Sequence, residues 1–230
     1  VHSATNQFAD SATGETVHGG LSALGRQWVA EMNRLGMVID ASHSSDAAFD
    51  QMLALSKAPI ILSHSGPKAI FDHPRNLDDD RMRALAAKGG VMQVNSVFVR
   101  ARKDRPLVDK AEALVDNIAS LPSEEQARAI VAYAAANAAE PSTDADFDMF
   151  MASLFHALDV MGVDHVGLGA DWDGGGGVAG MADIVALPRI TRALLDRGYS
   201  RDDVAKIWSG NVLRVLAAAQ AEGARERGEE

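Results

Sequence analysis

The sequence contains no cysteine. Disulfides and thiolate metal sites are therefore excluded, and any bound zinc must be held by histidine and carboxylate. The lack of cysteine leaves the compartment open between cytoplasmic and exported. An excess of basic residues is also missing: 22 Lys and Arg stand against 32 Asp and Glu, for a net charge of −10. Nucleic-acid binding requires a basic face that neutralises phosphates, so that class is set aside. No apolar run approaches the roughly 20 residues of a membrane span. No GxGxxG loop opens a helix, which argues against a dinucleotide fold. The run Gly174-Gly175-Gly176-Gly177 follows a strand but does not match that pattern, and it reads as a mobile loop. No signal peptide is visible, and the chain starts Val1-His2 without an initiator Met.

What is present is an ordinary globular composition, 47% hydrophobic and 23% charged, in 230 residues, enough for one domain with a sizeable core. Short apolar runs alternate with amphipathic stretches. Strands are expected at Met37-Val38-Ile39-Asp40, from Pro59 to Ser63, from Val91 to Val94 and at Val166-Gly167-Leu168-Gly169. Helices are expected from Leu24 to Leu35 with Gly36 as the stop, from Ser45 to Lys57, and from the acidic start Asp78-Asp79-Asp80 to Lys88. A long, mostly helical stretch follows from about Leu107 to Met161. Within it the Ala-rich run ends in a loop at Glu140-Pro141-Ser142-Thr143. Further helices are expected over Leu187–Arg197, Arg201–Trp208 and Val212–Ala221. Residues 224–230 are a charged tail expected to fray. Strand–helix alternation implies a parallel sheet, and strands covered on both faces suit either a barrel or a doubly wound sheet.

Polar residues recur where these strands end. His43 follows the strand ending at Asp40, His64 follows Ser63, Asn95 follows Val94, and Asp171 follows the strand starting at Val166. In a parallel barrel all four lie on the C-terminal face, where active sites are built. His43 and His64 are about one βα unit apart, which puts them on adjacent strands. Two imidazoles and a carboxylate form a catalytic zinc set with a position left for water. Spacing alone leaves this reading beside a second one, in which each histidine is a hydrogen-bonded structural residue.

Five ordered segments carry a family resemblance. They are His2-Ser3-Ala4-Thr5-Asn6-Gln7-Phe8-Ala9-Asp10-Ser11, Asn33-Arg34-Leu35-Gly36 through Ile39-Asp40-Ala41-Ser42-His43, Pro59 to Ser63-His64-Ser65, Arg75-Asn76-Leu77-Asp78-Asp79, and Gly167-Leu168-Gly169-Ala170-Asp171-Trp172-Asp173-Gly174. In order and spacing they resemble the motifs of the membrane (renal) dipeptidase family, in the amidohydrolase superfamily. The resemblance covers nearly the whole chain and is weakest from about Lys103 to Thr143.

That resemblance implies a (β/α)8 TIM barrel of the metal-dependent hydrolase type, with residues 1–223 its C-terminal portion. It implies a zinc-dependent dipeptidase with two zinc ions, a dipeptide substrate, and a homodimer in the complete enzyme. His43 and His64 would bind the second zinc, and Asp171 would sit beside the first and shuttle a proton. His2 would donate to the scissile carbonyl oxygen as it becomes an oxyanion, and Arg75 would hold the substrate's C-terminal carboxylate. Each role suits its residue type: zinc acidifies water and a nearby carboxylate relays the proton. A fixed donor favours the oxyanion of the transition state, and arginine pairs bidentately with carboxylate. Asp40 and Asn95 would orient ligands. His18, His73, His156 and His165 read as structural or loop residues, and Asp171 is preferred over Asp173 because it lies nearer the strand.

The chain also departs from the family. The His-x-Asp of the family's first strand occurs nowhere here, and the early bridging Glu is expected before the position of His2. Val97 stands near where some relatives carry an aromatic residue that contacts substrate. The expectation is a fragment of weak activity whose unpaired strand edges promote association. Two other readings stay open: an amidohydrolase acting on a non-peptide amide or lactone, and a non-catalytic half-barrel that pairs with a partner.

Overall fold

Helix α1 (Ala23–Leu35) begins where the Ser22 side chain accepts from the Gly25 N–H. It ends at Gly36, whose φ of 74° lets its N–H turn back to the Asn33 and Met32 carbonyls. The chain then runs extended through residues 37–41. The computed structural model describes residues 2–116, 118–140 and 143–229. In it the remaining elements follow as α2 (Asp46–Leu55), β1 (Ile61–Ser65), α3 (Asp79–Ala87), β2 (Val91–Val94), α4 (Pro106–Val115), α5 (Ser123–Ala139) and α6 (Phe147–Met161). Then come β3 (Val166–Leu168), α7 (Leu187–Asp196) and α8 (Arg201–Ala205). A π-helical turn (Lys206–Gly210) leads without a break into α9 (Asn211–Arg227).

The three strands form one parallel sheet in the order β1-β2-β3. The strand expected at residues 37–40 does not form. The segment pairs with β1 only at Asp40 opposite Ile61, through bonds of 2.9 Å from the Ile61 N–H to the Ile39 carbonyl and 2.8 Å from the Ala41 N–H to the Ile61 carbonyl. Two features cut the ladder short: the Met37 N–H returns to Met32 of α1, and the Asp40 side chain takes the Ser42 and Ser63 N–H groups. β1 itself lies later than expected, so His64 is inside the strand rather than after it.

Helices α3, α6 and α9 and the π-helical turn pack on the sheet. Phe49, Met52, Ile60, Met82, Leu85, Met92, Leu154, Val166 and Leu194 are all buried in one core, each contributing about 1.5–3 kcal/mol of transfer free energy. Gly169 is required where the chain leaves β3, because a Cβ there would meet the Ser63 carbonyl oxygen at 2.0 Å. Helices α4 and α5 pack on each other around a separate small cluster of Val108, Ala111 and Ala136. The loop expected at 140–143 falls partly on Pro141 and Ser142, outside the described residues. The tail expected to fray is helical to Arg227, with Glu230 outside the described residues. Its end is held by Lys57–Glu226 and Arg225–Glu222 ion pairs and by Arg227 donating to the Arg34 carbonyl. No helix among the described residues is long and apolar enough to cross a membrane.

Candidate metal and carboxylate site

At the C-terminal end of the sheet a cleft of 670 Å³ is lined by His2, Asp40, His43, His64, Arg75 and Asp171, among others. His43 and His64 reach it from the turn after Asp40 and from β1. Their Nε2 atoms face each other at 2.9 Å. His2, from the N-terminal segment, stacks on His43 with ring centroids 4.4 Å apart.

The orientation of His64 is set from behind. Its Nδ1–H donates to the Ser63 hydroxyl at 2.8 Å, and that hydroxyl donates to Asp40 Oδ2 at 2.5 Å. This relay leaves a lone pair on Nε2, the atom that faces His43. Asp40 opens onto the cleft but is ringed by donors. Burial acts to raise its pKa, yet the Ser63 hydroxyl and the Ser42 and Ser63 N–H groups hold it below the usual carboxylate range. Burial, with the Arg75, His64 and His2 charges adding, pulls the His43 imidazole down to about 4. His64 is also lowered by burial, with Asp171 opposing and Arg75 adding. Both imidazoles are therefore neutral near pH 7, the form that ligates metals.

Among the described residues His43 and Asp171 are the non-glycine positions with left-handed backbone, at φ of 69° and 60°. Such conformations cost about 1–3 kcal/mol and persist where surrounding structure imposes them. At Asp171 the tight turn is made by Gly176 donating to its carbonyl at 2.7 Å, and Gly174 leaves room for its carboxylate.

Arg75 is buried, with 7% of its surface exposed. Its Nη2 makes one bond of 3.3 Å to the His64 carbonyl, its Nε has no partner, and its guanidinium carbon lies 4.8 Å from the centre of the Phe98 ring. Burial pulls its pKa down to about 10, opposed by Asp171 and Asp40. A buried cation without an ion-pair partner at a cleft has donors available to an anion.

The residues singled out in the sequence thus meet in one place, except Asn95. Asn95 is buried beside the cleft, where its Oδ1 accepts from the Phe98 N–H at 3.2 Å. Val97 lines the cleft, whereas Asp173 lines a neighbouring one. Away from this cleft, His156 bonds Asp79, His165 bonds the Gly90 carbonyl and His18 the Asn6 carbonyl. Sequence reasoning missed Ser42 and Ser63, whose hydroxyls lie 3.3 Å apart. The signal was available: a Ser-His dipeptide recurs at 42–43 and 63–64. It also missed Phe98, which no motif marks.

A two-imidazole set with neutral rings and a tautomer held by a serine–aspartate relay suits a divalent metal such as zinc. Among the described residues no third His, Asp or Glu joins the pair in a metal-holding group.

A model of the membrane dipeptidase family (peptidase family M19) matches residues 1–230. Dipeptidase tcpJ of Claviceps purpurea is 33% identical over 229 residues, 99% of this chain and 45% of that protein. Among solved structures, the probable dipeptidase PvdM from Pseudomonas aeruginosa matches with a TM-score of 0.74 at 33% identity, covering 94% of this chain and 60% of that one. A metallopeptidase from Rhodobacter sphaeroides, solved with a phosphinate mimic of the dipeptide L-Ala-D-Ala, matches with a TM-score of 0.67 at 27% identity, covering 92% of this chain and 50% of that one. The α/β fold is similar to that of these dipeptidases. The chain spans less than half the length of the curated relatives it matches.

Proposed function

The chain belongs to the membrane dipeptidase family, and we propose from that premise that its cleft serves zinc-dependent hydrolysis of dipeptides, on a sheet that is part of a TIM barrel. The observation that carries this reading is the meeting of the His43 and His64 Nε2 atoms, 2.9 Å apart, in the same cleft as the unpaired Arg75. His43 and His64 would hold one zinc. When bound, zinc supplies Lewis acidity that polarises the scissile carbonyl and makes water acidic enough to attack near neutral pH.

The chain's own residues do the rest. Arg75 takes the free C-terminal carboxylate through its fork of N–H donors and so selects substrates that end one residue beyond the cleaved bond. His2, beside His43, donates to the carbonyl oxygen as negative charge develops. Asp171 accepts the proton of the attacking water and returns it to the leaving amine. A dipeptide-like substrate also agrees with the dipeptide mimic bound by the Rhodobacter metallopeptidase. Because two histidines alone make an incomplete ligand set, this chain by itself binds one zinc or fewer and turns over weakly.

The test is zinc content and hydrolysis of Gly-D-Ala and Ala-Asp by this chain, beside a version extended upstream through a His-x-Asp strand. The extended protein is expected to hold two zinc ions and cleave, and this chain to hold one or fewer and cleave poorly. Full zinc occupancy without cleavage by either protein would overturn the dipeptidase assignment.

A further inference from the structure

Among the described residues Arg75 makes no ion pair with a carboxylate, and its guanidinium lies over the Phe98 ring. That ring, Phe98, ends a stack of three. Phe71 lies on His73 with centroids 5.7 Å apart and planes 19° from parallel, and His73 lies on Phe98 at 4.5 Å and 18°. The His73 Nδ1 accepts from the Arg75 backbone N–H at 3.1 Å, so the nitrogen carries a lone pair and the ring is neutral. Two buried asparagines tie the stack to the sheet. The Asn76 carboxamide donates to both the Phe71 and Phe98 carbonyls at 2.8 Å, and Asn95 accepts from the Phe98 N–H.

We infer that Phe98 is the positioning residue for Arg75: its ring, backed by His73 and Phe71, holds the guanidinium while leaving Nε–H and the N–H donors not bonded to the His64 carbonyl open to a substrate carboxylate. This rests on the reading of Arg75 as the carboxylate anchor. The physical reason lies in how each kind of partner uses the cation. An acidic side chain would occupy the donor fork and compete with the ligand. A ring attracts the cation through its π face and uses none of the donors. An isolated buried cation would have neither support nor a defined direction. The aromatic stack supplies both, and it does so from loops that the sequence motifs do not mark.

The test uses this chain and two ligands, N-acetyl-D-alanine and its C-terminal amide, titrated by calorimetry so that neither turnover nor zinc is required. Wild type is expected to prefer the acid. Phe98→Leu should bind the acid about 3- to 30-fold more weakly, the range a cation–π contact spans, with amide binding unchanged. Phe98→Tyr, which keeps the ring, should restore acid binding. The inference falls if Phe98→Leu binds the acid as wild type does, if it weakens acid and amide alike, if Phe98→Tyr fails to rescue, or if wild type does not distinguish the ligands. Failure of the dipeptidase reading looks different: no hydrolysis of dipeptides, with the Phe98 effect on acid binding intact.

Discussion

The two ends of the sheet are built from similar residues and treated in opposite ways. At the N-terminal end, a cleft of 520 Å³ is lined by Asp164, His165, Lys206, Asn211 and Arg214. There the polar groups find partners. Asn211 donates to the Val163 and Val166 carbonyls at 2.7 and 2.8 Å. Arg214 spans the Gly89 and Asp164 carbonyls, His165 bonds the Gly90 carbonyl, and Lys206 pairs with Asp164 at 2.8 Å. At the C-terminal end, His43 Nδ1, Arg75 Nε, Asn76 Oδ1 and Asn95 Nδ2 are buried and lack a partner among the described residues. The left-handed backbone of His43 and Asp171 is there too. One end uses charge and hydrogen bonding to close the fold, and the other keeps donors, acceptors and strain in reserve.

Substitutions can break or sharpen that contrast. The largest effect is expected from His43→Ala combined with His64→Ala. The zinc held by this pair should be lost, and dipeptide turnover by the extended protein should fall more than about 100-fold, beyond what loss of an outer-shell partner costs. At the other end, Asn211→Ala should lower unfolding free energy in a denaturant titration by about 2–3 kcal/mol, because it strips a donor from two carbonyls. Its binding of N-acetyl-D-alanine should stay as in wild type; a loss there would mean the ends are coupled.

Arg75→Met should weaken binding of the same acid about 10- to 100-fold, the worth of charge-assisted hydrogen bonds. Its thermal midpoint should be unchanged or raised, since a cation without a partner is removed from the interior. A large fall in midpoint would show that Arg75 is structural. At the strained turn, His43→Gly should be more stable than His43→Ala by about 1 kcal/mol, because only glycine adopts that φ without penalty.

A further expected effect is a pH dependence of the metal-free chain. Burial holds His43 at about 4 in the fold, against 6.5 for the free side chain. Between those values the unfolded chain binds a proton that the folded chain does not. Stability at this group is therefore present above about 6.5 and lost as pH falls toward 4. Denaturation midpoints measured across that window should slope less in His43→Gln than in wild type.

Much of the site was legible because one end of a parallel sheet carries its chemistry: hydrophobic runs brought His43, His64 and Asp171 to the same end, although His64 lies within β1 and the strand expected before His43 does not form. The residues that serve them were less legible. Ser63 acts by a hydrogen bond between Asp40 and His64, which brings together positions 23 residues apart. Phe98 acts through a stack across two loops, and no spacing rule describes a stack. The strand expected at residues 37–40 was lost for a related reason. Its apolar pattern was right, but the Met37 N–H and the Asp40 side chain had nearer partners than a full ladder could offer.

By itself the sequence determined most of the alternation of helix and strand, the family, and the exclusion of any thiolate ligand, since there is no cysteine. Local pattern suffices for these because they depend on residue type and near neighbours. Only the tertiary structure decided that His64 is aimed by Ser63 and Asp40, that Arg75 lies buried on Phe98 without an acid, and that the charged tail continues as helix. Those outcomes depend on which distant backbone or ring arrives within about 3–5 Å, and packing sets that distance.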